Sequence, residues 1–158
     1  MCYNNFNTAV DIGEAKMIVY IAVDDENGML FNNRRQSQDR IMRENMLQDC
    51  VGSKLWVAEY SKKFFVDENG NITPDNVVVD DDFLEKAGEN DHCYVEKGDI
   101  SPWMDKIDTI VLYKWNKRYP ADTYFDISLL DSNWKKFSLN HFKGSSHDKI
   151  FKEVWKRV

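Results

Sequence analysis

The chain of 158 residues is short of structure breakers, with 7 glycines and 3 prolines. That scarcity argues against linkers and collagen-like sequence. Cysteine is equally sparse: Cys2, Cys50 and Cys93 are odd in number, widely spaced and without a CxxC pair. Together with His92, His141 and His147 they fit no zinc-binding spacing, so neither a metal nor a cofactor is expected. Cys93 follows His92 directly, which reads as a buried thiol beside an exposed imidazole. No apolar run approaches the roughly 20 residues that cross a bilayer. The first 16 residues lack a positive start followed by an apolar stretch, so they do not read as a secretory signal, and a cytoplasmic protein with no membrane partner is expected. Positive charge is in deficit, with 21 Lys plus Arg against 27 Asp plus Glu and a net charge of −6. Such a field repels a phosphate backbone and argues against an extended nucleic-acid surface, although a local basic pocket stays possible.

What is present is globular. Hydrophobic residues make up 42% and charged residues 30%, a composition that supports a core rather than disorder. Residues 1–16 have no clear period and are expected to form an N-terminal extension; residues 17–158 suit a single domain. The apolar run over 16–23 reads as a strand buried on both faces, stopped by Asp24-Asp25-Glu26-Asn27-Gly28. Ser37 is the expected N-cap of an amphipathic helix over 38–50, with Asp39 in its first turn. Short strands are expected at 55–58, 76–79, 92–95 and 107–115, short helices at 60–65 and after Asp80-Asp81-Asp82, and a helical turn at 102–106. Residues 134–142 and 149–155 alternate as a closing antiparallel pair. Strands alternating with short helices and ending in two consecutive strands predict an α/β mixed sheet with an antiparallel C-terminal hairpin.

The order of these elements resembles dihydrofolate reductase, on several short strings. The strand Ile18–Val23, the Asn27-Gly28 loop and Ser37-Gln38-Asp39 are similar to that family's substrate half. Ala121-Asp122-Thr123-Tyr124-Phe125 is similar to its Gly-Asp-Thr-x-Phe string, and the tail from Trp134 to Arg157 to its closing hairpin. The resemblance covers about residues 17–157 and implies a reductase-like mixed sheet flanked by short helices. It also implies that Asp39 is the acid that binds a pteridine, since a carboxylate accepts two hydrogen bonds from an amino-pyrimidine edge. Other positions depart from the family. Its Gly-Arg-x-Thr string reads Ala58-Glu59-Tyr60-Ser61, its Gly-Gly pair reads Glu96-Lys97-Gly98-Asp99, and its supporting threonine reads Tyr113. A bulky acid blocks the approach of backbone to pyrophosphate, so the NADPH motifs are lost. The chain is also similar to short proteins of clostridial-type genomes labelled ribonuclease Z, through residues 27–39, 83–88 and 144–147. Three scattered histidines cannot build the two-zinc site of a true ribonuclease Z.

Asn32-Asn33-Arg34-Arg35-Gln36-Ser37-Gln38-Asp39-Arg40 is the densest candidate, with Arg43 one turn on. Four arginines within ten residues reverse the local charge, and guanidinium forks beside a helix N-terminus suit a phosphate or carboxylate. The expected ligand-binding set is Asn32, Arg34, Arg35, Gln36, Ser37, Asp39, Arg40, Tyr113 and Trp115. In the first reading a reductase-like cleft binds an anionic or nucleotide-like small molecule: Arg34, Arg35 and Arg40 hold the anion while Asp39 and Gln36 read a hydrogen-bonding edge. A metal-independent ribonuclease using Arg34, Arg35 and Asp39 or His147, and a non-catalytic domain docking an acidic partner, are the alternatives. Ser145-Ser146-His147-Asp148 reads as a hairpin turn with a capping histidine, because neighbours in sequence cannot converge as nucleophile, base and orienter.

Overall fold

A computed structural model describes residues 16–158, so the expected extension over 1–16 lies almost wholly outside the described residues. The first strand, β1 (Met17–Val23), is apolar on both faces and occupies the middle of a seven-stranded sheet. A hairpin follows, β2 (Gly28–Phe31) and β3 (Arg34–Arg35), where the sequence predicts no regular structure. Its two turn residues, Asn32 and Asn33, both have positive φ (51° and 60°), the backbone that a tight two-residue hairpin needs and that asparagine tolerates.

Helix α1 (Arg40–Asp49) comes next, then β4 (Leu55–Val57), a 3₁₀ segment Glu59–Phe65 and β5 (Val77–Val79). The short helix α2 (Phe83–Lys86), β6 (His92–Tyr94) and a 3₁₀ segment Ser101–Lys106 lead into β7 (Ile107–Lys114). The chain closes with β8 (Thr123–Tyr124), a 3₁₀ turn Ile127–Leu129, and the antiparallel pair β9 (Trp134–Phe142) and β10 (Ile150–Arg157).

The main sheet runs β9-β10-β7-β1-β6-β4-β5, and a small second sheet runs β3-β2-β8. The strands from β7 to β5 are parallel, and β10 and β9 add the antiparallel edge. The fold class expected from the sequence is therefore the observed one.

Period-two alternation divides the apolar residues between two cores, one on each face of the sheet. Val19, Ile21, Cys93, Ile110 and Leu112 join the first core, and Tyr20, Tyr94, Val111 and Tyr113 join the second. Helix α1 covers the second face with Met42, Met46 and Cys50, at four-residue spacing. Each fully buried methionine stabilises that packing by roughly 1.5–3 kcal/mol.

Two expectations are corrected here. His92 is buried, not exposed, because β6 lies inside the sheet under α1, and its Nδ1 stands 2.9 Å from the Tyr20 hydroxyl. Helix α1 begins two residues later than expected, with Asp39 rather than Ser37 as its N-cap, and its first turn carries no acid.

Candidate functional site

The C-terminal ends of β1 and β7, the β2–β3 hairpin and the start of α1 meet around two hollows that share Met29. The first is small, about 10 Å³, and is lined by Arg35, Gln36, Ser37, Glu96 and Trp115 among others. The second, about 320 Å³, is mostly apolar and lies against Ile21, Ile100, Tyr124, Phe125 and Leu129. A site at the carboxyl ends of parallel strands is where open α/β sheets place ligands.

Asp39 organises the polar end. Its Oδ1 accepts from the amides of Met42 and Ser145, at 3.1 and 3.0 Å, which caps α1 and ties it to the loop between β9 and β10. Its Oδ2 accepts from the Ser146 amide at 2.8 Å and the Ser146 hydroxyl at 3.1 Å, and stands 3.0 Å from His147 Nδ1. Burial alone would raise this carboxyl. The hydrogen bonds from Ser146, His147, Ser145 and Met42 outweigh that effect and hold it well below the usual carboxylate range. An ionised carboxylate only accepts, so His147 Nδ1 carries the proton, and in the neutral ring Nε2 faces the Ser37 and Tyr119 hydroxyls, each 3.0 Å away. Trp115 stacks on the imidazole with ring centres 4.6 Å apart. Gly144 lets the loop come this close: a Cβ there would collide with Asp39 Oδ2.

Asp24 plays the matching role at the end of β1. It accepts from the amides of Glu26, Gly28 and Tyr119 and from Gln36 Nε2. Again burial opposes ionisation, and these bonds prevail and lower the carboxyl. Because the ionised Asp24 needs a donor, the Gln36 amide has only one sensible orientation. Its Oε1 then faces away from Asp24, buried and without a hydrogen-bond partner.

The nine residues expected to bind a ligand are not gathered in one place. Asn32 sits in the exposed hairpin turn, where its amide donates to Asp122. Arg34 is exposed, and Arg40 reaches along the helix surface to Glu44 at 2.9 Å. Arg35 turns inward but is already matched: Glu96 accepts from its Nε at 2.8 Å and its Nη2 at 2.9 Å, and its guanidinium lies over Tyr60 and Phe64. Tyr113 is fully buried beneath α1, with its hydroxyl donating to Asn45. Gln36, Ser37 and Trp115 line the small hollow together with the Glu96-bound Arg35, and Asp39 stands behind it with both oxygens engaged. The expected anion clamp of Arg34, Arg35 and Arg40 is thus not formed, since strand, hairpin and helix aim the three side chains apart. Asp39 likewise cannot read a ligand edge while both its oxygens cap the helix and hold the loop.

Sequence reasoning read His147 first as a turn cap and only in the ribonuclease alternative as an acid–base group, left Tyr119 as a stacking candidate outside the expected set, and gave Met29 no role in the site. The available signal was a glycine turn ending in histidine, with a Ser-x-Asp pair at a helix start 108 residues away. Arg43, noted but not chosen, is the more informative cation. It is half-buried, its guanidinium lies 4.5 Å from the centre of the Phe64 ring, and its hydrogen-bond partner is the neutral Gln38. Phe64 is therefore flanked by Arg43 and Arg35, of which Arg35 has a carboxylate partner.

No family model and no curated protein matches the sequence. Solved structures do: one is dihydrofolate reductase from Enterococcus faecalis, complexed with NADP(H) and RAB-propyl, with a TM-score of 0.60 at 12% identity over 89% of this chain and 95% of that one. The fold is dihydrofolate reductase-like. The fold type brings a dinucleotide cofactor into question, and the residues here do not fit one. The segment after β6 carries Glu96, Lys97 and Asp99, and the hollow beside it is lined by Asp81, Asp82, Glu85 and Asp99. Lys97 is drawn off over the Tyr60 ring, 3.6 Å from its centre. A pyrophosphate placed there meets a carboxylate wall, and repulsion at such distances costs several kcal/mol when partly desolvated.

Proposed function

We propose that this chain is a small-molecule-binding domain that uses the reductase-shaped cleft for an anionic, nucleotide-like ligand. The observation that carries the reading is Gln36 Oε1, a buried acceptor without a partner on the wall of the cleft. Buried acceptors are nearly always satisfied, and leaving one open costs about 1–3 kcal/mol. An N–H on the edge of a flat heterocycle supplies what is missing. Arg43 lines neither hollow, but it stands in the first turn of α1, shortly after the cleft residue Ser37, and shares the Phe64 ring with Arg35. A half-buried guanidinium there, with no carboxylate within ion-pair distance among the described residues, favours a phosphate or carboxylate that reaches out of the cleft. The hollow beyond Met29, whose walls also carry Asp99 and Asp126, has room for the uncharged part of the molecule and not for its negative group.

A thermal-shift screen with nucleoside monophosphates, pterins and inorganic phosphate tests this. The expected result is that a compound with both a ring N–H edge and a negative group raises Tm by several degrees. Gln36→Ala and Arg43→Ala should each remove most of that rise. If nothing stabilises the wild type, or if both variants respond as the wild type does, the reading is wrong.

A further inference from the structure

Binding leaves the array behind the small hollow without a task. Ser37 Oγ stands 3.0 Å from His147 Nε2, and His147 Nδ1 stands 3.0 Å from Asp39 Oδ2. Nucleophile, base and orienter are thus within hydrogen-bond reach in sequence, drawn from a helix start and a distant hairpin loop. That recurring constellation is recognised by geometry and roles rather than by order along the chain. The orienter is buried and ionised, held by amides that leave it no freedom to turn. The imidazole is clamped between that carboxylate and the face of Trp115. Ser37, unlike the other two, lines the hollow where a reacting group can meet it.

We infer that Ser37, His147 and Asp39 form an acyl-transfer centre acting on small esters. Ser37 Oγ adds to the acyl carbon while its proton passes to His147 Nε2. The bond from carbon to the leaving oxygen then breaks, and that oxygen takes the proton from Nε2 as the alcohol departs. Water repeats the sequence on the acylated serine, releasing a carboxylic acid and restoring the hydroxyl. Asp39 does not exchange a proton; it keeps Nδ1–H in place and offsets the charge that the ring gains in each half. Tyr119, with its hydroxyl 3.0 Å from His147 Nε2 and 3.5 Å from Ser37 Oγ, shares that nitrogen with the serine and must give it up when Ser37 passes its proton.

The volumes set the substrate class. The hollow of about 10 Å³ beside Ser37 has room for about one water-sized group, so only the smallest acyl group reaches Oγ, and it does so as the Met29 side chain between the two hollows gives way. The 320 Å³ hollow across Met29, lined by Ile100, Tyr124, Phe125 and Leu129 with Asp99 and Asp126 among them, takes an uncharged aromatic alcohol as the leaving side. This inference does not depend on the nucleotide reading, because it uses neither Gln36 Oε1 nor Arg43.

p-Nitrophenyl acetate matches that description and is the probe. With enzyme in amounts comparable to ester, the wild type should release a burst of nitrophenol, and peptide mapping should place the acetyl group on Ser37. A fluorophosphonate should label the same peptide. Ser37→Ala deletes one half-buried hydroxyl and should keep its Tm while losing the burst and the label. His147→Gln should slow acetylation by about 100-fold or more. Acetyl groups found only on lysines, or equal burst and labelling in the wild type and a folded Ser37→Ala, would overturn the assignment. So would an unlabelled Ser37 after prolonged exposure to both reagents. Because no nucleotide enters the assay, its failure leaves the binding proposal standing, and the reverse also holds.

Discussion

The two hollows on either side of Met29 are built on opposite principles. On the α1 side, polar groups are buried and almost all are answered: Asp39 and Asp24 gather amides, a histidine and an amide side chain, and Arg35 is matched by Glu96. On the other side Ile21, Ile100, Phe125 and Leu129 give most of the wall, Asp99, Ser101 and Asp126 stand among them, and the space is open. A satisfied polar network gives rigidity and position, whereas an open apolar space gives capacity. Changes on the first side should therefore act mainly on folding and chemistry, and changes on the second mainly on what is accommodated.

The largest expected effect is at Asp39. Replacing it by alanine removes the helix cap and leaves the amides of Ser145, Ser146 and Met42 and the ring of His147 without their acceptor. Urea unfolding should register a loss of about 2–4 kcal/mol, the combined cost of a lost helix cap and of buried donors left without an acceptor. A loss below about 1 kcal/mol would mean that the loop and helix hold together without it.

Next comes Gly144→Ala. Its Cβ collides with Asp39 Oδ2 and meets Ile150 Cδ1 at 2.8 Å, so the loop must withdraw. Overpacking of this kind costs about 1–3 kcal/mol, and an unchanged midpoint would show that the loop has slack.

The same side should respond to acid. Both Asp39 and Asp24 have folded-state carboxyls below their ordinary values. Their contribution is full above the unfolded carboxylate value of roughly 3.9 and fades as pH falls through the lower folded values. Stability should therefore drop steeply below about pH 4, and less steeply in Asp39→Ala; parallel acid profiles would contradict the assignment.

The smallest effect on stability belongs to the open side. Leu129→Trp, at a partly exposed position, should change unfolding energy by no more than about 0.5 kcal/mol. It should nevertheless abolish the thermal shift given by any cleft ligand, since the indole fills the space. A retained shift would move the ligand elsewhere.

Much of the fold was legible because its signals are local. Alternation in β1 and β7 sends Val19, Ile110 and Leu112 to one core and Tyr20, Val111 and Tyr113 to the other, as period two requires. The closing hairpin and α1 announced themselves the same way, and the reductase-like order of strands followed. The β2–β3 hairpin was not legible, since two consecutive asparagines with positive φ leave no hydrophobic period to read.

The site was legible only in part. Gln36, Ser37 and Trp115 reach the cleft, but charge density along Arg34, Arg35 and Arg40 says nothing of direction, and these three point to solvent, to Glu96 and to Glu44. Asp39 looked like a ligand acid because a helix cap and a ligand acid share a residue type. What tells them apart is a partner loop more than 100 residues away, and no local pattern encodes that contact.

Met29 separates the two hollows and offers the most direct test of the cleft as a binding site. The chain has 6 methionines, and Met17 and Met46 are fully buried in the cores on either face of the sheet. With carbon-13 methyl labels, a nucleoside monophosphate or pterin that stabilises the chain should move the Met29 signal strongly and leave Met17 and Met46 nearly still. A stabilising compound that shifts the core methionines, or none of them, and leaves Met29 in place would contradict the account.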